Sequence, residues 1–351
     1  MTDNESTYKV AVVMPVFNEE RYLARTLDQL YQQDFRMDQV EVVLADGGST
    51  DRTREIAESY RERFGSMKIL DNPGRLPSSG RNVGVKNSTA PYIIVLDGHC
   101  HIPSKTLLSD MVALFEQQQA ACLCRPQPLD PPDIGEFEKA VAICRSSSLG
   151  HKPGSEIYAD YEAEVDPTSS GAMYRREVFE QIGYFDERFD ACEDVDFNFR
   201  VKLANLKSIL SPKLKVFYYP RKTISGLWKQ MMRYGRGRFL FAQKHNEFSL
   251  VQWLAGAGVA LFVLLLLGAL VSSRAAHWFR TLAGLYVLVV ILYSAWLAHK
   301  EDHSGCLIYG PIIFPTVHFG LGVGFLRGLY EHLTGKDKKP RVRSGLDMNL
   351  I

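Results

Sequence analysis

Residues Ile93–Pro103 read IIVLDGHCHIP: four apolar residues, then Asp97, His99, Cys100 and His101 within five positions. Two architectures compete for such a stretch. A zinc knuckle needs a distant second ligand pair at a defined spacing. Cys122 and Cys124 are separated by one residue, too closely for a CxxC pair, and no further cysteine pair follows. The alternative is a buried strand of an α/β sheet, Ile93–Leu96, with Asp97 and His99 at its carboxyl end.

Neighbouring segments favour the sheet. YKVAVVMPVF is an apolar strand ending at Pro15, after which Asn18-Glu19-Glu20 is expected to open a helix carrying Leu23, Leu27, Leu30 and Tyr31 at helical spacing. VEVVLAD is a second strand, GGST a turn, and DRTREIAESYRERF a helix for which Ser49 or Thr50 is the expected cap. SMKILDNP is a weaker strand and SSGRNVGVKNS a helical turn before the strand of the opening stretch. Strands and helices alternating at this pitch predict a parallel, doubly wound sheet, whose ligands bind outside the carboxyl ends of the strands. Pro15–Glu19, Asp46–Ser49 and Asp97–His101 then share one rim. Residues 125–170, rich in Pro, Ser and Gly, read as an irregular region with a mobile loop. CEDVDFNFRVKLANL reads as a helix with Glu193, Asp194 and Asp196 in its first turn, where carboxylates suit the helix dipole.

The chain has 351 residues, 46% of them hydrophobic, and its net charge of +1 does not point to nucleic acid as a partner. The polar, acidic start MTDNESTYKV excludes a cleavable signal peptide, and six mostly isolated cysteines suit a reducing compartment. Three apolar segments, Trp253–Val271, Trp278–Ala298 and Cys306–Leu326, each approach the ~20 residues that cross a bilayer. The third contains two Pro and a His, so it either spans, re-enters or packs on the others. The basic stretch before the first segment agrees, by the positive-inside rule, with a cytoplasmic location for residues 1–245, and a multi-pass protein of the cell membrane is expected. Three full spans would put the tail KDKKPRVR outside against that rule, so re-entry of the third or a broken rule is expected. GLGVGFLRG at 320–328 follows no soluble strand and is better read as close helix packing through small residues than as a dinucleotide fingerprint.

Taken in order, VVMPVFNEERYLARTL, VEVVLADGGSTDRT, SGRNVGV, IIVLDGHC and ACEDVDFNFRV resemble the family 2 glycosyltransferases over residues 8 to 240. QMMRYGRGR followed by apolar spans is most similar to the branch that makes exopolysaccharides of the succinoglycan type. The resemblance implies an α/β fold: a GT-A catalytic domain with a Rossmann-like, mostly parallel sheet over 1–220, a basic interfacial segment over 221–248, a membrane domain with two to three apolar segments over 249–335 and a basic tail over 336–351.

It implies an inverting transferase moving a sugar from a nucleotide diphosphate sugar to a hydroxyl of a lipid-linked or membrane-associated saccharide, in contact with membrane lipids. Asp194 matches the family's general base, and Glu193 is expected to orient the acceptor, with Asp196 solvated. Pro15, Phe17 and Glu19 would wall the base and ribose. Asp46 matches the base-binding position, where a carboxylate accepting from uracil N3–H favours a uridine donor; Asp also caps turns such as DGGST. Arg81 matches a cation near the donor, its alternative being a solvated helix charge. The family's metal-binding Asp-x-Asp is here Asp97-Gly98-His99, and an imidazole tilts the expected divalent ion from Mg²⁺ toward Mn²⁺, unless His99 merely hydrogen-bonds in its loop. Gly171 and Ala172 suit a backbone close to the sugar.

Gln230, Arg233 and Tyr234 resemble Gln-x-x-Arg-Trp with Tyr for Trp, which implies a diphosphate contact of donor or acceptor. The same segment also reads as a membrane-surface helix, with Leu227, Trp228, Met231, Met232, Phe239 and Phe241 on its apolar face and Lys229, Arg233, Arg236 and Arg238 reaching head groups. A polyprenyl-phosphate glycosyltransferase and a catalytically impaired sugar-binding scaffold are the competing readings.

Overall fold

The computed structural model describes residues 7–151 and 156–338, so the tail from 339 onward lies outside the described residues. They form two compact units, one of 7–131 and 156–219, the other of 132–151 and 220–338.

The first unit begins with β1 (Val10–Val16), α1 (Leu23–Tyr31), β2 (Val40–Asp46), α2 (Thr53–Glu58), β3 (Ser66–Asp71), α3 (Pro77–Lys86) and β4 (Tyr92–Val95). These four strands are parallel, in the spatial order β3-β2-β1-β4. β1 shows why the sheet is covered on both faces. Val10, Val12 and Met14 enter one core with Leu23, Leu27 and Leu30 of α1, while Ala11 and Val13 enter the other with Val85 of α3. Side chains alternate across a strand, so an unbroken apolar run needs an apolar layer on each side.

There follow β5 (Cys100–His101), α4 (Leu107–Gln118), β6 (Cys122–Cys124), α5 (Glu136–Ser146, in the second unit), β7 (Ala163–Glu164), β8 (Gly171–Arg175), α6 (Arg176–Ile182), α7 (Glu193–Leu203), β9 (Ser208–Leu210) and β10 (Phe217–Tyr218). The sheet continues β8-β6-β9-β7, with β8 antiparallel to both β4 and β6 and β7 antiparallel to β9. The run of parallel neighbours that starts at β3 therefore ends at β4, in a sheet that is mostly parallel as expected. β5 and β10 form a separate antiparallel pair.

Two local expectations fail. No helix opens at Asn18: that residue has φ +53°, and α1 starts at Leu23. Ser49 does not cap α2, because its hydroxyl is bonded to Asp46; Asp51 Oδ1 accepts from Thr53 N at 3.0 Å instead.

The second unit contains α5, α8 (Ile224–His245), α9 (Leu250–Gly268), α10 (Ser273–Lys300) and α11 (Gly305–Leu333). The last three are long and apolar enough to cross a membrane, and they expose Leu264 (66%) and Leu292 (60%), a surface that water disfavours. α11 is continuous for 29 residues through Pro311 and Pro315, without the chain reversal that re-entry requires. Its glycines explain how it packs. A Cβ on Gly320 would lie 2.7 Å from Met231 Cβ, one on Gly324 would strike the Met232 carbonyl, and one on Gly328 would lie 2.8 Å from Phe239 Cβ.

The glycine face of α11 thus lies directly on α8. Of the apolar face of α8 expected at a membrane surface, Leu227, Met231, Phe239 and Phe241 are buried within the protein, and Trp228 and Met232 are half-buried. Arg236 is likewise buried, its Nε donating to Glu331 Oε2 at 2.6 Å, and does not reach head groups.

Residues expected to be irregular contain α5, whose Ala140, Val141 and Cys144 pack with Ile313, Phe314 and Val317 of α11. The following turn folds back at Gly150, where a Cβ would strike the Cys144 carbonyl, and Leu149 O accepts from His318 Nε2 at 2.9 Å. His151 at the end of this turn is held down to about 4, by burial first and then by the cations of Arg145 and Arg238. A histidine whose folded pKa is depressed disfavours the folded state once it protonates. Stability should therefore be complete above about pH 6.5 and fall as pH drops toward 4, by up to about 2 kcal/mol after allowing for solvent screening. Melting curves between pH 7.5 and 4 check this, and His151→Gln should flatten the dependence.

Candidate active site

The rim of the parallel strands is assembled by glycines and by loop-to-loop hydrogen bonds. Gly80 and Gly84 lie one turn apart on α3. A Cβ on Gly80 would sit 2.9 Å from Pro15 Cβ, and one on Gly84 would strike Val13 Cγ1. Their absence of side chains lets α3 lie flat on β1 and carries Arg81 over the strand ends. Ser78 Oγ donates to Phe189 O at 2.8 Å and Asn82 Nδ2 to Phe185 O at 2.9 Å, stitching α3 to the segment that leads into α7. Cys192, with φ +65°, then turns the chain into that helix.

The result is one guanidinium among three carboxylates. Arg81 Nη1 is 3.1 Å from Glu193 Oε1 and its Nη2 is 3.9 Å from Asp97 Oδ1, with side-chain exposures of 10%, 6% and 24%. Burial alone would lower the Arg81 pKa, but Glu193, Asp97 and Asp194 outweigh it and hold the group above its ordinary value. Arg81 is therefore no solvated helix charge. Asp194 is half-buried, and one of its oxygens accepts from Val195 N at 2.8 Å.

Asp196 departs from expectation. It is fully buried and paired with Arg200 Nε at 3.2 Å, because its place on α7 turns it into the protein. Gly171 also differs: a Cβ there would lie 2.6 Å from Asn198 Oδ1, so its smallness seats α7 against β8, with Asn198 Nδ2 donating to Gly171 O at 2.9 Å. Ala172 is buried.

Asp46 is 2% exposed. Its Oδ1 accepts from Ser49 N at 2.9 Å and Ser49 Oγ at 2.7 Å, and its Oδ2 lies 3.3 Å from Arg54 Nη1. It caps the turn; a carboxylate has about four acceptor positions, which leaves capacity for a further donor. Phe17 lies against Gly47 across the rim, its Cδ2 3.5 Å from the Cβ position there.

His99 Nδ1 is 2.7 Å from Glu19 Oε1, which moves Glu19 from the nucleoside wall to the side of the imidazole. Cys100 and His101 turn away from both. Cys100 Sγ donates to Asp97 O, burial pushes its thiol well up, and His101 Nδ1 bonds Gln29. Among the described residues no three His, Cys, Asp or Glu side chains gather to hold a metal ion.

Arg125 escaped the sequence reading, hidden at the end of the apolar run CLC. Its side chain is fully buried; Nη2 donates to Val95 O at 3.0 Å and to Tyr218 OH at 2.9 Å, while Nε and Nη1 find no partner among the described residues. Tyr218 in turn meets the His99 ring edge-on, with centroids 6.3 Å apart. A buried cation with unsatisfied donors costs stability, so an apolar replacement of similar size is expected to leave the stability nearly unchanged, within about 1 kcal/mol. Arg125→Met should nevertheless lower turnover at least about tenfold, because it frees Tyr218 and the Val95 carbonyl beneath Asp97. Parallel melting and turnover assays check both.

Gln230, Arg233 and Tyr234 all lie on α8 in the second unit, where Gln230 Oε1 accepts from Arg145 Nη1 at 3.4 Å and the Arg145 guanidinium lies 5.8 Å from the Tyr234 ring centre.

Residues 11–183 match the family described as glycosyl transferase family 2, and residues 162–298 match glycosyl transferase family group 2. The succinoglycan biosynthesis protein ExoA of Rhizobium meliloti is 26% identical over 339 residues, covering 94% of this chain and 98% of that protein. Dolichyl N-acetyl-alpha-D-glucosaminyl phosphate 3-beta-D-2,3-diacetamido-2,3-dideoxy-beta-D-glucuronosyltransferase of Methanococcus voltae is 22% identical, over 92% of this chain and 97% of that protein. Among solved structures, the mannosyltransferase PcManGT from Pyrobaculum calidifontis, in complex with GDP-Man and Mn²⁺, shares the fold with a TM-score of 0.59 at 17% identity, covering 93% of this chain and 88% of that one. S. aureus TarS 1–349 in complex with UDP-GlcNAc does so with a TM-score of 0.51 at 18% identity, covering 93% and 92%. The two family matches together run from residue 11 to 298, and the chain is a glycosyltransferase of family 2 with a GT-A fold followed by three helices long and apolar enough to span a membrane.

Proposed function

We propose that this enzyme is an inverting transferase that moves a sugar from a nucleoside diphosphate donor, with uridine as the base, to a hydroxyl of a lipid-linked saccharide, in a membrane-anchored protein whose catalytic unit faces the cytoplasm. The observation that carries the reading is the convergence of Asp97, Glu193 and Asp194 on Arg81 at the rim of the sheet. It joins a cation suited to a diphosphate, a carboxylate at the end of β4 and a half-buried carboxylate at the start of α7.

Asp194 takes the proton of the acceptor hydroxyl as that oxygen bonds to the anomeric carbon from the face opposite the departing diphosphate. Arg81 steadies the diphosphate while Glu193 holds the guanidinium in place. Asp46, beyond its role as a turn cap, accepts from the uracil N3–H, and Pro15 and Phe17 wall the nucleoside. Arg233, with Gln230 and Tyr234, contacts a diphosphate of donor or acceptor.

The residues present suit a divalent ion that draws its remaining oxygens from the diphosphate: one partly exposed carboxylate, Asp97, and one imidazole, His99, with no closed protein cage among the described residues. Such an ion, bound by Asp97 and His99, would neutralise the leaving diphosphate, and the imidazole favours Mn²⁺ over Mg²⁺.

Membranes containing the protein, incubated with a panel of radiolabelled nucleotide sugars, test the reading. Label from one donor should enter the lipid fraction, require Mn²⁺ and be lost with Asp194→Asn. Label released as a single sugar on a polyprenyl phosphate would favour that transferase class instead, and no turnover with any donor would support a sugar-binding scaffold.

A further inference from the structure

The Nδ1 side of His99 rests on a loop held by a chain of hydrogen bonds. Asn18, with its positive φ, bends the chain after β1; its amide donates to Ser49 Oγ at 2.9 Å and its Oδ1 accepts from Thr50 N at 2.9 Å. Glu19 N donates to Thr53 Oγ1 at 2.6 Å. These bonds anchor the backbone of Glu19 to the neighbouring loop, so its side chain starts from a fixed point.

That side chain runs directly under the Asp97–His99 turn, since a Cβ on Gly98 would lie 3.1 Å from Glu19 Cγ and 3.1 Å from Val16 Cγ1. It ends on His99 Nδ1 at 2.7 Å, with side-chain exposures of 12% for Glu19 and 27% for His99. Tyr218, itself held by Arg125, meets the imidazole edge-on. The ring is thus oriented from two sides.

An ionised carboxylate only accepts hydrogen bonds, so Nδ1 carries the hydrogen. The lone pair of the neutral ring then lies on Nε2. A histidine that ligates a metal through one nitrogen and gives its other N–H to a carboxylate is a stronger ligand than a free imidazole, because the carboxylate fixes the tautomer and raises the basicity. The site has reason to need this: Asp97 is already shared with the Arg81 guanidinium at 3.9 Å.

We infer that Glu19 is a positioning residue for His99, and that Glu19 and His99 act together as the second ligand, beside Asp97, of a divalent cation bound with the donor diphosphate. The inference rests on the metal reading proposed above. Glu19 itself touches neither substrate nor metal; its charge reaches the ion through the imidazole.

The test is Mn²⁺ uptake by the full-length protein in detergent with saturating UDP, followed by loss of the free-ion electron paramagnetic resonance signal. Glu19→Gln should weaken Mn²⁺ binding by about 10- to 100-fold, while UDP affinity without metal stays at the wild-type value. His99→Asp should restore tight binding, and in that background Glu19→Gln should change the affinity by less than about threefold.

Wild-type Mn²⁺ affinity in Glu19→Gln would overturn the inference. So would an equal loss in the His99→Asp background, which would mark Glu19 as a support of the loop alone. A wild-type protein that takes up no Mn²⁺ with UDP would sink the metal reading itself, and the role of Glu19 with it, whereas uptake that is indifferent to Glu19 leaves the metal reading standing.

Discussion

Asp194→Asn should lower the transfer rate by about 10²- to 10⁴-fold, the usual contribution of a general base. The loss should fall on kcat, with the donor KM moved little. The reason is local. Asp194 is half-buried at the start of α7, and its bond with Val195 N at 2.8 Å can be kept by an asparagine oxygen. Arg81 retains Glu193 at 3.1 Å and Asp97 at 3.9 Å, so removing one of its three carboxylates does not strand the cation. Melting temperature should therefore stay near wild type. Transfer of labelled sugar to the lipid fraction, measured over a range of donor concentrations, checks the rate and the KM together. A variant that keeps more than a tenth of the wild-type kcat would remove Asp194 from the role of base.

Arg81→Met should be the most damaging single change to the catalytic unit. Glu193 is 6% exposed and Arg81 10%, so loss of the guanidinium takes the cation 3.1 Å away from a buried carboxylate that stands beside Asp97 and Asp194. Removing one partner of a buried pair costs about 3–5 kcal/mol. The same change takes away the cation assigned to the diphosphate, so both melting temperature and donor affinity should fall. Arg81→Lys separates the two effects. A lysine keeps the charge, which preserves much of the stability, but lacks the fork that spans Glu193 and Asp97. It should melt closer to wild type while still losing most of its turnover. If Arg81→Lys instead restores turnover in full, charge alone is the requirement and the two-sided geometry is incidental.

Much of this architecture is written in local pattern. The continuous apolar runs of β1 and β4, and the run of β2 broken only by Glu41, announce strands covered on both faces, and the polar residues at their ends mark the rim. The three long apolar segments announce themselves by length. Gly320, Gly324 and Gly328 announce a close helix contact, and α8 proved to be the partner. The readings that failed share a different character. Ser49 or Thr50 was expected to cap α2 from its place in sequence, yet Asp46, three residues before Ser49, claims the Ser49 hydroxyl, and Asn18 accepts from that of Thr50. The apolar stripe of α8 gives the same periodicity whether it meets lipid or α11, since either surroundings satisfies an apolar face. Asp196 looks like one more acid in a first turn, and only the direction of α7 sends it inward to Arg200.

From its sequence alone, the protein is a family 2 glycosyltransferase whose motifs stand at the carboxyl ends of parallel strands, with apolar helices following; strand periodicity and segment length are short-range properties, and residue pattern carries them. What tertiary structure alone decided is which side chains meet. Glu19 and His99 are 80 positions apart, Arg125 reaches Tyr218 across 93, and Arg236 finds Glu331 across 95. Each contact depends on backbone paths fixed by packing elsewhere: a glycine that lets one element settle on another, a residue at positive φ that turns a chain end. Directional bonds of a few ångströms form only once those paths are set, and no periodicity in the chain records them.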